Sequence, residues 1–187
     1  MSRVCIFLAD GFEETEAITT VDILRRGRVS VTMVSISDSL HVRGRNHIEV
    51  AADVMWKEAD SEIESADMLI LPGGQPGVTY LARHKGLKKA LEKAAKDGKK
   101  LAAICAGPVV LGQLGLLEGK EATCYPGLES DLTGAKLNPE DEVVTDGNVT
   151  TSRGVGTACA FALKLVEILE GKSVRDEVRR EIVYKRK

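Results

Sequence analysis

An α/β domain with a mainly parallel sheet is the fold class this sequence predicts, and three observations carry the prediction. Short apolar runs recur along the chain, amphipathic helical stretches separate them, and the runs end on sharp turns or glycines. Strands alternating with helices build parallel sheets through crossover units. The 187 residues fit one domain, 1–187, long enough for a sizeable core.

Residues 3–9 read as a buried strand, and Asp10-Gly11 turns the chain into a helix with Ala17, Ile18, Val21 and Leu24 on one face. Glu13, Glu14 and Glu16 crowd its first turn and complement the helix dipole, while Arg25 and Arg26 close it. Val29–Ile36 alternates apolar and small polar residues, which predicts a second strand. The polar stretch 38–54, with a turn signal at Arg43-Gly44-Arg45-Asn46, predicts a small hairpin. Met68–Leu71 is a buried strand ended by Pro72-Gly73-Gly74, where the glycines let backbone approach a ligand. Leu87, Ala90, Leu91, Ala94 and Ala95, with lysines between, mark an amphipathic helix. Glu121–Cys124 reads as a strand before the turn Tyr125-Pro126-Gly127, and Asp146-Gly147-Asn148 as the turn of a hairpin. Gly154–Leu169 is helical, with Val155, Ala158, Ala162, Leu165, Val166 and Leu169 inward, and Arg175–Lys187 reads as an exposed helix and tail.

The chemistry concentrates at Lys100–Leu111. A short apolar run stops on Cys105, small residues and Gly107 follow, and Pro108 opens a new apolar run. Proline suits a helix start because its missing N–H would be unpaired there. Strand, sharp turn, helix is the pattern of a nucleophile elbow, with cysteine in place of serine. Nearby helix N–H groups favour a thiolate at such a turn. A cysteine ending a core strand can equally be a small buried hydrophobe. What tips the balance is convergence. Asp10–Glu16, Gly73-Gly74 and Cys105-Ala106 all follow strands, and ligands in such sheets bind beyond the strands' carboxyl ends.

Composition removes several classes of function. The 26 basic and 28 acidic residues leave a formal charge of −2, which gives no reason to expect nucleic acid or an anionic membrane as partner. Val4–Ala9 is too short for a signal peptide, and no run reaches bilayer length. Cys5, Cys105, Cys124 and Cys159 are widely spaced, with no C-x-x-C pair, which argues against a disulfide framework and a zinc site. Free thiols point to the cytoplasm. Cys5 and Cys159 lie in apolar patterns and read as structural; Cys124 stands beside Tyr125.

Five ordered blocks resemble the DJ-one/ThiJ/PfpI superfamily over essentially the whole chain: Leu8-Ala9-Asp10-Gly11-Phe12-Glu13-Glu14-Thr15-Glu16, Val21–Arg26, Leu71-Pro72-Gly73-Gly74, Ala102–Pro108 and Thr151–Thr157. The resemblance implies a flavodoxin-like three-layer sandwich, akin to class I glutamine amidotransferases, a homodimer, and a reactive cysteine at Cys105. It implies that Glu16 is protonated and hydrogen-bonded to the sulfur. An ionised carboxylate would disfavour a thiolate, whereas a neutral carboxyl donates to it. The oxyanion donors fall on the backbone N–H groups of Gly74 and Ala106. Gly73, Tyr125 and Arg153 are assigned to the pocket lining.

The residues sort the activities attached to that superfamily. Peptidase-like members carry histidine after the cysteine, where this chain has Ala106. An amidotransferase triad needs late histidine and glutamate partners, and His41, His47 and His84 all precede Cys105. The expectation is a glyoxalase or deglycase that uses no cofactor or metal and acts on methylglyoxal, glyoxal or glycated amines. The alternative is a redox-responsive stress protein or holdase signalling through oxidation of Cys105. Tyr125 stands where some members have a histidine; it is a poor general base at neutral pH and serves equally as an aromatic wall packed on Pro126.

Overall fold

A computed structural model describes residues 1–185. In chain order, strand β1 (Arg3–Leu8) leads to α1 (Glu14–Arg26) and β2 (Ser30–Ser35). A hairpin of β3 (His41–Arg43) and β4 (Glu49–Ala51) precedes β5 (Val54–Met55), α2 (Asp60–Ser65) and β6 (Met68–Leu71). Then come α3 (Gly77–Arg83), α4 (Lys85–Lys96), β7 (Lys100–Ile104) and α5 (Gly107–Gln113). Short strands β8 (Glu121–Ala122) and β9 (Lys136–Leu137) pair with each other, followed by β10 (Val143–Asp146) and β11 (Val149–Ser152). The described chain finishes with α6 (Ala158–Glu170) and α7 (Lys172–Glu181).

The central sheet has seven strands in the order β10-β11-β7-β6-β1-β2-β5, parallel except for the β10–β11 hairpin. Helices flank it: α1 packs against α6, and α3 against α4 and α5. Strands covered on both faces need apolar side chains throughout. Accordingly β6 is buried at every position, and β1 at every position after Arg3. The chain builds β1 and β2 outward, then returns past β1 to add β6 and β7 on the other side. The switch point therefore lies between β1 and β6, where such sheets open a crevice at their carboxyl edge.

The predicted α/β class, parallel strands and both hairpins are present. The differences have local causes. The face assigned to α1 included Ile18, which is 40% exposed. It lies about 100° around the helix from Ala17, beyond the stripe made by Ala17, Val21 and Leu24. Val155 was expected inward and is 47% exposed, because residues Val155–Thr157 form a 3₁₀ turn and α6 begins only at Ala158. The strand expected over Glu121–Cys124 covers only its first two residues. Short, polar α2 and glycine-led α3 offered no apolar periodicity to read. In the C-terminal segment α7 begins earlier than expected, at Lys172, and Val178 is buried; Arg186 and Lys187 of the expected tail lie outside the described residues. No helix among the described residues is long and apolar enough to cross a membrane.

Candidate active site

The end of β7 builds the site. Its last residue, Ile104, pairs with Ser152 of β11, and the Cys105 N–H donates to the Ser152 carbonyl at 2.9 Å. The chain then turns with Cys105 at φ 63°, left-handed backbone that L residues rarely adopt. Its carbonyl accepts the Tyr125 N–H at 2.9 Å, and α5 starts two residues later with Pro108 in its first turn. Strain of this kind persists only where surrounding contacts fix it, and it aims the side chain off the sheet. Cys105 is 8% exposed, so the thiol is tucked into the crevice with a small opening.

Glu16, in the first turn of α1, is fully buried at 0% exposure. Its Oε2 accepts the Gly73 N–H at 2.8 Å, and its carboxyl is hydrogen-bonded to the Cys105 thiol. Oε1 has no hydrogen-bond partner among the described residues. Burial pushes the carboxyl up to about 7, against the pull of its bonds to Cys105 and Gly73. Burial also pushes the thiol up to about 12, helped by the charge and hydrogen bond of Glu16 and opposed by the amides of Ala106 and Gly74. The amides of Ala106 and Gly74 pull the sulfur toward thiolate, but burial and Glu16 outweigh them, and the resting site favours thiol while Glu16 is ionised. Moving the pair's single proton onto Glu16 converts that repulsion into a donated hydrogen bond.

The glycines after β6 make this contact possible. A Cβ on Gly73 would lie 2.6 Å from Cys105 Cβ, 2.6 Å from Glu16 Oε2 and 2.9 Å from Cys105 Sγ. Gly74, at φ 95°, presses against the backbone of Glu13 and Gly11. Replacing Gly73 by alanine is therefore expected to push thiol and carboxyl apart. Any turnover that depends on the Cys105–Glu16 contact should then drop at least about a hundredfold, the penalty for displacing paired groups by an ångström or so. A steady-state assay beside a melting curve checks this, and unchanged turnover would show that the loop yields.

Tyr125 is 52% exposed, and its ring edges the site across Gly154. A Cβ on Gly154 would lie 3.5 Å from Tyr125 Cδ2 and 3.8 Å from Glu16 Oε1. Gly154 thus borders the candidate site; its signal in the sequence is a glycine just past β11, the strand beside the Cys105 strand. The side chain of Arg153 pairs with Glu140 at 3.9 Å, and its charge acts on Cys124. The first-turn acids also do more than complement a dipole. Glu14 is buried and accepts the N–H groups of Asn46 at 2.7 Å and Ile48 at 3.3 Å, which fastens the β3–β4 turn over α1. Burial raises its pKa, but these bonds outweigh burial and hold it below the usual glutamate value. The histidines stay with their polar roles: His41 contacts Glu49, His47 sits in the hairpin turn, and His84 caps α4 by accepting the Leu87 N–H.

Known proteins resemble this chain in sequence and in fold. DJ-1 homolog B of Arabidopsis thaliana is 39% identical over 98% of this chain, which spans about two-fifths of that protein (42%). A glutathione-independent glyoxalase of Caenorhabditis elegans, DJR-1.2, is 37% identical over 91% of this chain and 89% of its own. A deglycase of Pyrococcus abyssi is 32% identical over 90% of this chain and 99% of its own. Among solved structures, oxidized DJ-1 of Toxoplasma gondii superposes with a TM-score of 0.94 at 32% identity, covering 100% of both chains. DJ-1beta of Drosophila melanogaster does so with a TM-score of 0.94 at 34% identity, again covering 100% of both. Residues 2–168 match the DJ-1/PfpI family, and the chain belongs to that family.

Proposed function

We propose that this protein is a cysteine-dependent glyoxalase or deglycase that works without glutathione or another cofactor. One observation carries the reading: a buried carboxyl and two backbone amides, those of Gly74 and Ala106, act on the Cys105 sulfur. Relatives named glyoxalase and deglycase support a substrate class of reactive dicarbonyls or their early adducts on amines.

The chemistry follows from that arrangement. As Sγ attacks the aldehyde carbon of methylglyoxal, an S–C bond forms and the carbonyl π pair moves to oxygen, facing the two amides. The thiol proton passes to Glu16, a base poised near neutrality. From the protonated Glu16 it reaches the alkoxide, giving a hemithioacetal. Glu16, ionised again, takes the proton from that carbon, and the adjacent carbon is reprotonated through an enediol. The result is a thioester. Water cleaves it, releasing lactate and restoring the thiol, so methylglyoxal plus water becomes lactate. For the hemiaminal that methylglyoxal forms on an amine, the S–C bond forms at the carbon bearing nitrogen as the C–N bond breaks. The thiol proton passes through Glu16 to the departing amine, and the resulting hemithioacetal follows the same steps.

Lactate formation from methylglyoxal without glutathione tests the reading, and no turnover by pure protein would overturn it. Tyr125, half exposed at the rim, supplies no base that the scheme needs. Tyr125→His is expected to leave kcat equal or higher; a collapse would assign the phenol a role. We also propose a homodimer. Ile18 and Val155 are exposed apolar residues on α1 and beside α6, the kind of side chain a partner covers. Light scattering should then give twice 20.2 kDa, and Ile18→Glu should halve it. The four free thiols fit a reducing compartment, the cytoplasm.

The second reading, a redox sensor, has support in the same amides, which would hold the oxygens of a sulfinate. Peroxide treatment followed by mass spectrometry separates the two: rapid addition of oxygen at Cys105 alone, without dicarbonyl turnover, favours the sensor.

A further inference from the structure

A second cavity lies at the carboxyl edge of the sheet and has no part in the scheme above. It holds about 410 Å³, within the size range of small-ligand sites, and sits beyond the ends of β1 and β2. Ala9 and Ile36 supply apolar lining. The Cys105 strand is two strand spacings from β1, about 10 Å, so the cavity stands apart from the thiol.

Its polar groups are arranged as if for a ligand with two different ends. Arg83, at the last turn of α3, lines the cavity and makes no ion pair or side-chain hydrogen bond among the described residues. Asp10 lines it too, yet does not pair with Arg83. Its Oδ1 accepts the Arg43 N–H at 2.9 Å, which fixes the carboxylate and leaves Oδ2 available. The His84 ring accepts the Leu87 N–H at Nδ1, so the neutral ring carries its proton on Nε2 as a further donor. Half-exposed Tyr80 adds a hydroxyl with no partner among the described residues. Behind His84 begins the positive end of the twelve-residue α4. An anion alone would meet Asp10, and a cation alone would meet Arg83. A ligand that presents both an anionic group and a hydrogen-bond donor satisfies both.

We propose that this cavity, bounded by Asp10, Tyr80, Arg83 and His84, binds a small anion bearing a donor on the adjoining carbon. A 2-hydroxy or 2-amino carboxylate has that chemistry, as does a hydroxylated phosphate monoester. The anion takes the Arg83 fork, in the bidentate geometry that guanidinium offers, and the donor takes Asp10. The inference does not depend on the dicarbonyl reading.

The sole tryptophan, Trp56, packs edge-on against His84 with ring centroids 4.5 Å apart, which gives the cavity an optical reporter. Titrating the full chain with lactate, propionate, alanine and glycerol 3-phosphate should give a saturable fluorescence change, checked by calorimetry. Lactate is expected to bind more tightly than propionate, which lacks the donor; glycerol 3-phosphate binding better than both would identify phosphate as the preferred anion. Arg83→Gln should weaken binding about tenfold or more, the loss of one charge-assisted pair. Asp10→Asn, which keeps the acceptor for Arg43, should erase the preference for lactate over propionate. Cys105→Ser should bind as the wild type does. Absence of saturable binding for every probe would overturn the proposal. So would wild-type affinity in a folded Arg83→Gln protein, equal binding of lactate and propionate by the wild type, or loss of binding in Cys105→Ser.

Discussion

Replacing Cys105 by serine is expected to lower kcat/KM for methylglyoxal by about a thousandfold or more, roughly 4 kcal/mol of transition-state stabilisation. A serine hydroxyl is a far weaker nucleophile near neutral pH, and the Glu16 carboxyl is too weak a base to ionise it. The backbone contacts that hold the left-handed turn, to Ser152 and Tyr125, do not involve the sulfur. Serine is close to cysteine in size, so the melting temperature should move by only a few degrees. Loss of turnover therefore reports chemistry and not unfolding. A serine variant that still forms lactate at near wild-type rate would end the covalent mechanism, while the cavity beside Arg83 would be unaffected by that result. Peroxide supplies a second readout on the same protein: if Cys105 is the oxidisable thiol, the serine variant gains no oxygen there.

The elbow was legible because everything that makes it is local. An apolar run, Cys105, small residues, Gly107 and Pro108 specify strand, turn and helix within a dozen positions, and the φ of 63° is what that pattern asks for. Gly73-Gly74 was legible for a similar reason. Glu16 was different. A glutamate in a first helical turn reads as a dipole complement on its own, and only the resemblance to other sequences singled it out. Its burial arises from the turns after β6 and β7, where Gly73 and Cys105 close over its carboxyl, and no local pattern encodes that. Glu14 shows the limit more sharply, since its partners Asn46 and Ile48 lie more than thirty residues away. Ile18 and Val155 fit a helical period closely enough to be placed inward, and the actual helix start and stripe width left both in solvent. Nothing in the sequence brought Asp10 and Arg83 together, because α3 carried no periodic signal.

Glu16→Gln separates the two things that Glu16 does, and the effects have opposite signs. In the wild type the reactive pair needs one proton shared between Glu16 and Cys105. Below about pH 7 both groups are protonated and the base is lost. The profile of kcat/KM should therefore rise with pH through about 7, whichever member of the pair holds the proton above it. Glutamine accepts from the Gly73 N–H as the acid does, but it cannot take a proton. Activity should fall about a hundredfold, and the inflection near neutrality should disappear. Stability should move the other way. The folded state raises this carboxyl from 4.5 to about 7, so the fold favours the neutral form. The associated stability is fully present below about 4.5 and is lost as pH rises from there to about 7, a change on the order of 3 kcal/mol. Glutamine is neutral throughout. The variant should thus melt close to the wild type near about pH 4 and clearly above it near about pH 8, with the gap opening between about 4.5 and 7 and staying constant above that. Equal melting temperatures at both ends would mean that Glu16 is solvated in the folded protein. An unchanged activity profile would mean that another group accepts the Cys105 proton. A stable, inactive variant is the result expected if the buried acid is kept for its chemistry at a cost to the fold.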